Sequence, residues 1–172
     1  NVMEWLIGRF DLSYLPSDPV TIGAAIGMPV ILLAIVAGLT YFKKWKWLWT
    51  QWITTVDAKK IGTMYAIVAI IMLIRGGADA LMLRASTAVG GPGGQQLFDT
   101  DTFQQVFTAH GTIMIFFVAM GLMFALFNWA VPLLIGARDV AFPFLNSMGF
   151  WLFFAGMILV NASLVVGGFS NG

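Results

Sequence analysis

The chain has a single histidine, His110, which lies inside a mostly apolar stretch that runs from 103 to 137. An imidazole in such a stretch is costly unless it has a partner or a function. Neutral imidazole can bind the iron of a haem, and the side chains at helical spacing around it would line an apolar porphyrin pocket: Val106, Phe107, Met114 and Phe117. The same side chains would equally suit an ordinary helix interface, with His110 in an interhelical hydrogen bond or a proton relay.

The sequence also limits which residues could complete such a metal site. The chain contains no cysteine, so any metal must be held by histidine, methionine or carboxylate. A six-coordinate haem needs a second axial ligand, and there is no second histidine. Either a methionine or a residue of another polypeptide would have to supply it.

Arg75 and Asp79 are a second candidate for chemistry, because they lie four residues apart in another apolar stretch. This spacing places them on one helix face, where they can pair. Each residue costs about 2.5 to 3.5 kcal/mol at the bilayer centre, which pairing reduces. They could form a structural ion pair, or a polar notch that hydrogen-bonds a carbonyl or hydroxyl of a lipid-soluble ligand. Arg84 could anchor the helix at the membrane surface or pair with haem propionates or an anionic lipid.

Asp139, Asn128 and Asn146 form a third group, near the turn between two apolar stretches. Asp139 could be an N-terminal cap of a helix that begins at Val140 and has Pro143 in its first turn. The two asparagines could hydrogen-bond neighbouring helices. A carboxylate followed by two buried carboxamides would also make the entrance of a water-filled proton path.

The elements that must position these residues are membrane-spanning helices. The 172-residue chain is 59% hydrophobic and 10% charged, and its mean hydropathy is +0.87. These values are typical of multi-span membrane proteins and leave little room for a soluble domain. We expect an all-α, polytopic transmembrane helical bundle that forms one integral domain over 1–172. Its four predicted spans are 20–42, 61–86, 103–137 and 140–168.

The distribution of charge predicts the orientation of this bundle. The connector 43–60 carries five lysines, whereas the connector 87–102 has two aspartates and no lysine or arginine. The positive-inside rule places the first connector in the cytoplasm, and hence the N-terminus and the glycine-rich loop 90–94 outside. Four tryptophans in the first connector are typical of an interfacial belt: Trp45, Trp47, Trp49 and Trp52. The net charge of +1 gives no indication of nucleic-acid binding.

Two segments carry a resemblance to a known family. Residues 107–120, FTAHGTIMIFFVAM, and residues 131–146, VPLLIGARDVAFPFLN, resemble the second and third core helices of subunit I in haem-copper respiratory oxidases. Residues 72–84, MLIRGGADALMLR, are similar to the bo-type ubiquinol oxidase branch in particular. The resemblance extends over nearly all of the chain from about Thr40 onward, and the first span resembles the extra N-terminal helix of the quinol branch.

The resemblance implies a role for each candidate residue. His110 would be one axial ligand of a low-spin haem b, and the other would come from a later helix. Arg75, Asp79 and Gln105 match quinol-binding positions. Asp139, Asn128 and Asn146 match the mouth of a proton channel. The implied activity is electron transfer from ubiquinol to oxygen, coupled to proton pumping, in a bacterial cytoplasmic membrane.

The sequence departs from the family pattern in three ways. Thr102 stands where bo-type enzymes have a histidine in the quinol site, and Ala58 stands where a histidine follows Val-Asp. Family members also continue for some eight further spans, which hold the copper ligands, the high-spin haem and the second axial histidine. We therefore expect the chain to be the N-terminal part of subunit I, inactive alone, with the rest of subunit I, other oxidase subunits, ubiquinol and membrane lipid as partners.

Two other classes of function are compatible with the residues. In a non-redox membrane scaffold or assembly subunit, the ionisable residues would only lock helices together. In an ion-transport module, Asp139, the asparagines and the Arg75/Asp79 pair would form an ion pathway. The absence of an inverted repeat and of paired broken helices argues against transport.

Overall fold

The computed structural model describes residues 19–89 and 98–166. The predicted external N-terminus, the glycine-rich loop and the last residues of the fourth predicted span lie outside these described residues. Six α-helices follow in chain order: α1 Pro19–Tyr41, α2 Trp45–Leu48, α3 Ala58–Val89, α4 Thr100–Thr112, α5 Met120–Leu134 and α6 Pro143–Val166. Two π-helical segments accompany them: π1 Trp49–Ile53 after α2, and π2 Ile113–Ala119 between α4 and α5. The all-α prediction is confirmed.

Three helices of the described chain are long and apolar enough to cross a bilayer. They cover Ala58–Ala88, Thr100–Leu134 and Pro143–Ser163, and the second is the continuous rod α4–π2–α5. Both ends of the first two and the start of the third differ from the predicted ends by two or three residues, and the predicted end of the third, at 168, lies outside the described residues. Helix α1 is 23 residues long, but its described apolar part is Val30–Tyr41. The first predicted span, 20–42, and the orientation of the bundle therefore stay predictions.

The ends of these helices follow from local sequence. Helix α5 ends where Gly136 takes a positive φ of 68°, and Ala137 N donates to Pro132 O at 2.9 Å. This closure satisfies carbonyls that the helix end would otherwise leave free. Helix α6 begins at Pro143, whose fixed φ suits the first helical position. It therefore starts three residues after Val140, the start expected from the sequence.

The core of the bundle lies where α3, the rod α4–π2–α5 and α6 meet. Its buried apolar side chains come from all three: Ile61, Tyr65, Val68, Met72, Ile113, Phe117, Val118, Ala125 and Phe150. Gly121 permits the close approach, because a Cβ there would lie 3.1 Å from Ala69 Cβ and 3.2 Å from Phe153 Cζ. The backbones of α3 and of the rod α4–π2–α5 therefore lie close together, which allows polar groups on the two elements to contact each other.

The connector between α1 and α3 is fastened to the start of α6. Ser147 Oγ donates to Thr55 O at 3.0 Å, and Trp151 Nε1 donates to Ile53 O at 3.2 Å. Both acceptors are backbone carbonyls at the end of π1 or just after it, where the helix leaves carbonyls unpaired. The connector therefore has a defined position beside the ends of the spanning helices.

Candidate functional site

Arg75 and Asp79 form an ion pair on one face of α3, as their spacing predicts. Arg75 Nη1 donates to Asp79 Oδ1, and the side chains are 27% and 1% exposed, respectively. The second carboxylate oxygen, Asp79 Oδ2, is buried and has no hydrogen-bond partner among the described residues. A buried acceptor without a donor costs free energy, and a hydroxyl group of a ligand could donate the missing hydrogen bond to this oxygen.

His110 contacts the same turn of α3. Its Nδ1 lies 2.9 Å from the carbonyl oxygen of Gly76, the residue after Arg75. A carbonyl can only accept, so Nδ1 carries the proton and Nε2 is left with a free lone pair. A metal-binding histidine commonly has this arrangement, because the hydrogen bond fixes the tautomer and the orientation of the ring. The half-buried His110 ring therefore fits the role of an iron ligand.

Gly76 is required for the packing around this histidine. A Cβ at Gly76 would lie 2.9 Å from Met114 Sδ and 3.2 Å from Ile113 Cγ2. Met114 and Ile113 belong to π2, which begins three residues after His110. Helix α3 and the rod are therefore closely packed beside the two groups that could do chemistry.

The π2 segment changes which side chains surround His110. A π turn holds more residues than an α turn, so α-helical spacing does not continue past Thr112. Of the four expected pocket residues, Phe107 is exposed, whereas Phe117 packs in the bundle core against Phe153. The sequence pattern did not predict this segment. Such bulges frequently occur at functional sites.

The remaining residues of the first candidate site are less closely connected. Gln105 is half-buried on α4, five residues before His110. It forms no hydrogen bond with the Arg75/Asp79 pair. Thr102 is half-buried in the first turn of α4 and Arg84 is exposed on α3. The structure thus brings together Arg75, Asp79 and His110, and leaves Gln105 one to two turns away along its helix.

Asp139 lies on the segment between α5 and α6, but it does not cap the helix that follows. Its Oδ1 accepts hydrogen bonds from Val140 N at 2.8 Å and from Ala58 N at 3.1 Å. Ala58 is the first residue of α3, so the carboxylate lies at the positive end of that helix. The expected cap of a helix beginning at Val140 is wrong, because α6 begins at Pro143 and the chain turn directs Asp139 toward α3.

Asn128 and Asn146 are joined directly. Asn146 Nδ2 donates to Asn128 Oδ1, and Asn128 Nδ2 donates to Phe124 O at 2.9 Å. Asn128 also faces α3, since a Cβ on Gly62 would lie 3.0 Å from Asn128 Cβ. Gly62 is four residues after Ala58, which corresponds to about 6 Å along an α-helix. Asp139 and the asparagine pair therefore contact successive turns of α3.

Tyr65 adds a further polar group along α3, after Asp139 and the asparagine pair. It was not among the residues predicted from the sequence. Its hydroxyl lies 3.7 Å from the position of a Cβ on Gly149, three residues after Asn146. Its buried ring packs between Phe124, Phe150 and Phe153, with centroids 5.0 to 5.4 Å apart. The only sequence signal was its place three residues after Gly62. A single tyrosine in an apolar span gives no local pattern that marks its hydroxyl as functional.

The chain matches one family of known proteins over most of its length. The family described as "Cytochrome C and Quinol oxidase polypeptide I" matches residues 60–172. The chain belongs to this oxidase polypeptide I family.

Relatives of this oxidase polypeptide I chain carry quinol oxidase names. It is 51% identical over 163 residues to quinol oxidase subunit 1 of Bacillus subtilis, a match that covers 95% of the chain and 25% of the relative. It is 48% identical over 167 residues to ubiquinol oxidase subunit 1 of Acetobacter aceti, a match that covers 96% of the chain and 25% of the relative. A probable quinol oxidase subunit 1 of Staphylococcus aureus is 51% identical over 145 residues, which covers 84% and 22%. The chain thus spans about a quarter of the length of these relatives.

Proposed function

We propose that the chain is the N-terminal part of subunit I of a proton-pumping, bo-type quinol oxidase in a bacterial cytoplasmic membrane. The observation that carries the proposal is the meeting of His110 with the Arg75/Asp79 turn of α3, through the 2.9 Å contact between Nδ1 and Gly76 O. A quinol site and a haem ligand at one helix crossing would allow electrons to pass over a short distance. The name of the Acetobacter aceti relative specifies ubiquinol, which we take as the substrate.

In this proposal His110 would hold the iron of haem b. Its Nδ1 proton is held by Gly76 O, so Nε2 would be the atom available to the iron. A low-spin haem bound there would supply one-electron transfer toward the high-spin haem and copper expected in the rest of subunit I. The chain has one histidine, so the second axial histidine belongs to the same remainder. Other oxidase subunits complete the assembly.

Arg75, Asp79 and Gln105 would bind the quinol head group. The Arg75 guanidinium donates only and therefore suits a quinone oxygen, whereas the free Asp79 Oδ2 accepts and suits a quinol hydroxyl. Asp79 would take the hydroxyl proton as the quinol is oxidised. Gln105 can donate or accept and would bind the head group from α4. Thr102 stands in place of the family histidine, so the Asp79 carboxylate would be the group that releases the proton.

Asp139, Asn128 and Asn146 would form the entrance of a proton channel. The Asp139 carboxylate can exchange protons with bulk water, and the carboxamides can hold water by donating and accepting. The Tyr65 hydroxyl lies one turn deeper along α3 and would continue the path. This arrangement favours proton transfer over a purely structural role, because the polar groups are arranged along successive turns of α3.

The deciding experiment for this function is the substitution His110→Ala in the assembled oxidase. We expect the low-spin haem spectrum to disappear while the chain still inserts into the membrane and the other subunits remain bound. Gly77→Ala is a suitable control, because no neighbour lies within 4 Å of a Cβ at that position. A full low-spin spectrum in assembled His110→Ala would refute the ligand assignment. Absence of any haem signal from the wild-type complex would favour the scaffold alternative.

A further inference from the structure

The connector between α1 and α3 concentrates positive charge at one end of the bundle. Five lysines lie within 43–60, and four of them have exposed side chains: Lys43, Lys44, Lys46 and Lys59. The fifth, Lys60, donates from Nζ to Gln51 Oε1 at 2.7 Å. This bond places the first turn of α3 beside π1, so the lysines belong to one surface of the protein.

None of these five lysines forms an ion pair with a described acidic side chain, and they outnumber the two nearby carboxylates. The two nearby carboxylates bind backbone instead: Asp57 Oδ1 accepts from Lys59 N at 2.9 Å, and Asp139 Oδ1 accepts from Ala58 N and Val140 N. The one ion pair between described residues is Arg75–Asp79 in α3. The lysine surface therefore has an excess of positive charge available to a ligand.

Aromatic side chains lie between the lysines. Trp47 is 50% exposed and Trp49 is 60% exposed, and the Trp47 and Trp52 rings meet edge to face with centroids 6.1 Å apart. Trp45 Nε1 donates to Thr40 Oγ1 at 3.0 Å at the end of α1. Indole rings partition to the depth of lipid head groups and glycerol. Tryptophan beside lysine thus matches a membrane surface in both polarity and depth.

The surface is also held in place before any ligand binds. Lys43 has a positive φ of 51°, and Lys44 N donates to Leu39 O at 2.9 Å, which fixes the turn after α1. On the opposite side, Ser147 and Trp151 of α6 hold the backbone after π1. A fixed backbone reduces the entropy lost on binding. The three lysines of the turn are therefore presented together.

We propose that Lys43, Lys44, Lys46, Trp47 and Trp49 form a binding site for the head group of an anionic phospholipid. The phosphate would contact the lysine ammonium groups, the indoles would lie at the glycerol level, and the acyl chains would follow the exposed apolar face of α1, which includes Leu32 and Leu33. A phospholipid accounts for charge, aromatic and apolar features together, whereas a free phosphate would use only the lysines. Clusters of four to eight basic residues beside a span are typical of such sites. The inference does not depend on the quinol chemistry.

The test measures lipid selectivity of the intact membrane complex in bilayers. Spin-labelled phosphatidylglycerol and phosphatidylcholine are compared by electron paramagnetic resonance, which separates lipid held at the protein from bulk lipid. We expect wild-type protein to prefer phosphatidylglycerol, and the triple variant Lys43→Gln, Lys44→Gln, Lys46→Gln to lose at least about tenfold in its association constant at this site, since each basic residue near an anionic surface is worth roughly fivefold. The matched triple arginine variant keeps the charge and should keep the preference.

Either of two results with the glutamine variant would overturn the proposal. One is an unchanged preference for phosphatidylglycerol in the triple glutamine variant. The other is loss of a different subunit from that variant with lipid selectivity intact, which would identify an acidic protein segment as the occupant. If the glutamine variant does not assemble, the wild-type complex still decides the question. Exposed charges are screened by salt, so its selectivity should fall as ionic strength rises, and constant selectivity would also refute the site.

Discussion

At the residue scale, the most informative atom is Asp79 Oδ2, because a carboxylate oxygen is rarely buried without a donor. Its partner oxygen is held by Arg75, so the side chain cannot rotate away without breaking the ion pair. Protein atoms already enclose this oxygen, so a ligand that supplies the missing donor must displace some of them. A quinol hydroxyl is a donor of this kind, and quinone, which has none, would bind Asp79 less well.

Asp79→Asn is therefore expected to impair quinol oxidation and to spare the haem. An amide cannot take a proton from the hydroxyl, and it weakens the contact with Arg75. We expect at least a tenfold fall in kcat/KM for a soluble quinol, the size typical of losing one general base. The low-spin haem spectrum, recorded on the same sample, should be unchanged. Unaltered kcat and KM would place the quinol site elsewhere.

Asp139 gives the second prediction at this scale, because two substitutions separate its possible roles. In Asp139→Asn the amide oxygen can still accept from Ala58 N, so thermal stability should change little. Proton pumping, measured in vesicles with the reconstituted oxidase, should be lost, because the amide exchanges no proton. Asp139→Ala removes the acceptor as well and should cost about 0.5–2 kcal/mol of stability. Normal pumping by the asparagine variant would leave Asp139 with a structural role alone.

At the scale of elements, the packing of α3 against α5 fixes the position of the two candidate sites relative to each other. Trp129 Nε1 donates to Lys59 O at 3.1 Å, and Gly62 leaves room for the indole. A Cβ on Gly62 would lie 2.8 Å from Trp129 Nε1 and 3.0 Å from Asn128 Cβ. Asn128 is fixed near its backbone and cannot yield easily.

Gly62→Ala is accordingly expected to destabilise the bundle by about 1–3 kcal/mol, the usual cost of overpacking. The measurement is the thermal unfolding midpoint of the purified complex. The matched control is Gly77→Ala on the same helix, which meets no neighbour within 4 Å and should not lower the midpoint. Equal midpoints for the two variants would show that the contact between α3 and α5 has room for a methyl group at Gly62.

The elements also show what the sequence could predict. Apolar runs located the three long helices to within a turn, and the spacing of four residues predicted the Arg75–Asp79 pair. Both are local patterns. The bond from Ala58 N to Asp139 joins residues 81 positions apart, and the Gly76–His110 contact spans 34. Such contacts depend on how helices cross, which hydropathy and spacing do not encode.

At the scale of the whole molecule, the charge pattern predicts which side of the membrane each end of α3 faces. The described helix Ala58–Val89 has 32 residues, or about 48 Å at 1.5 Å per residue, which exceeds the hydrocarbon thickness of about 30 Å. Residues next to its two ends must therefore lie on opposite sides. The lysine-rich connector should be cytoplasmic.

Cysteine labelling tests this orientation directly, because the chain has no cysteine of its own. Gln51 and Thr87 are exposed and lie near opposite ends of α3. A membrane-impermeant maleimide should modify Thr87→Cys in intact spheroplasts, and Gln51→Cys only after the membrane is opened. The opposite pattern would invert the predicted topology, and with it the side from which Asp139 is proposed to take protons.

The π2 segment determines the directions in which side chains before and after it point about the axis of the rod. His110 is on one side of the segment and Asn128 on the other, and the wider turn sets the angle between their side chains about the helix axis. One residue corresponds to about 100° of rotation in an α-helix. Deleting a single residue from Ile113–Ala119 would therefore turn Asn128 away from Gly62 and toward lipid while His110 kept its place. The extra residue in that turn acts as an angular offset that lets one continuous helix present both His110 and Asn128 to the same neighbour.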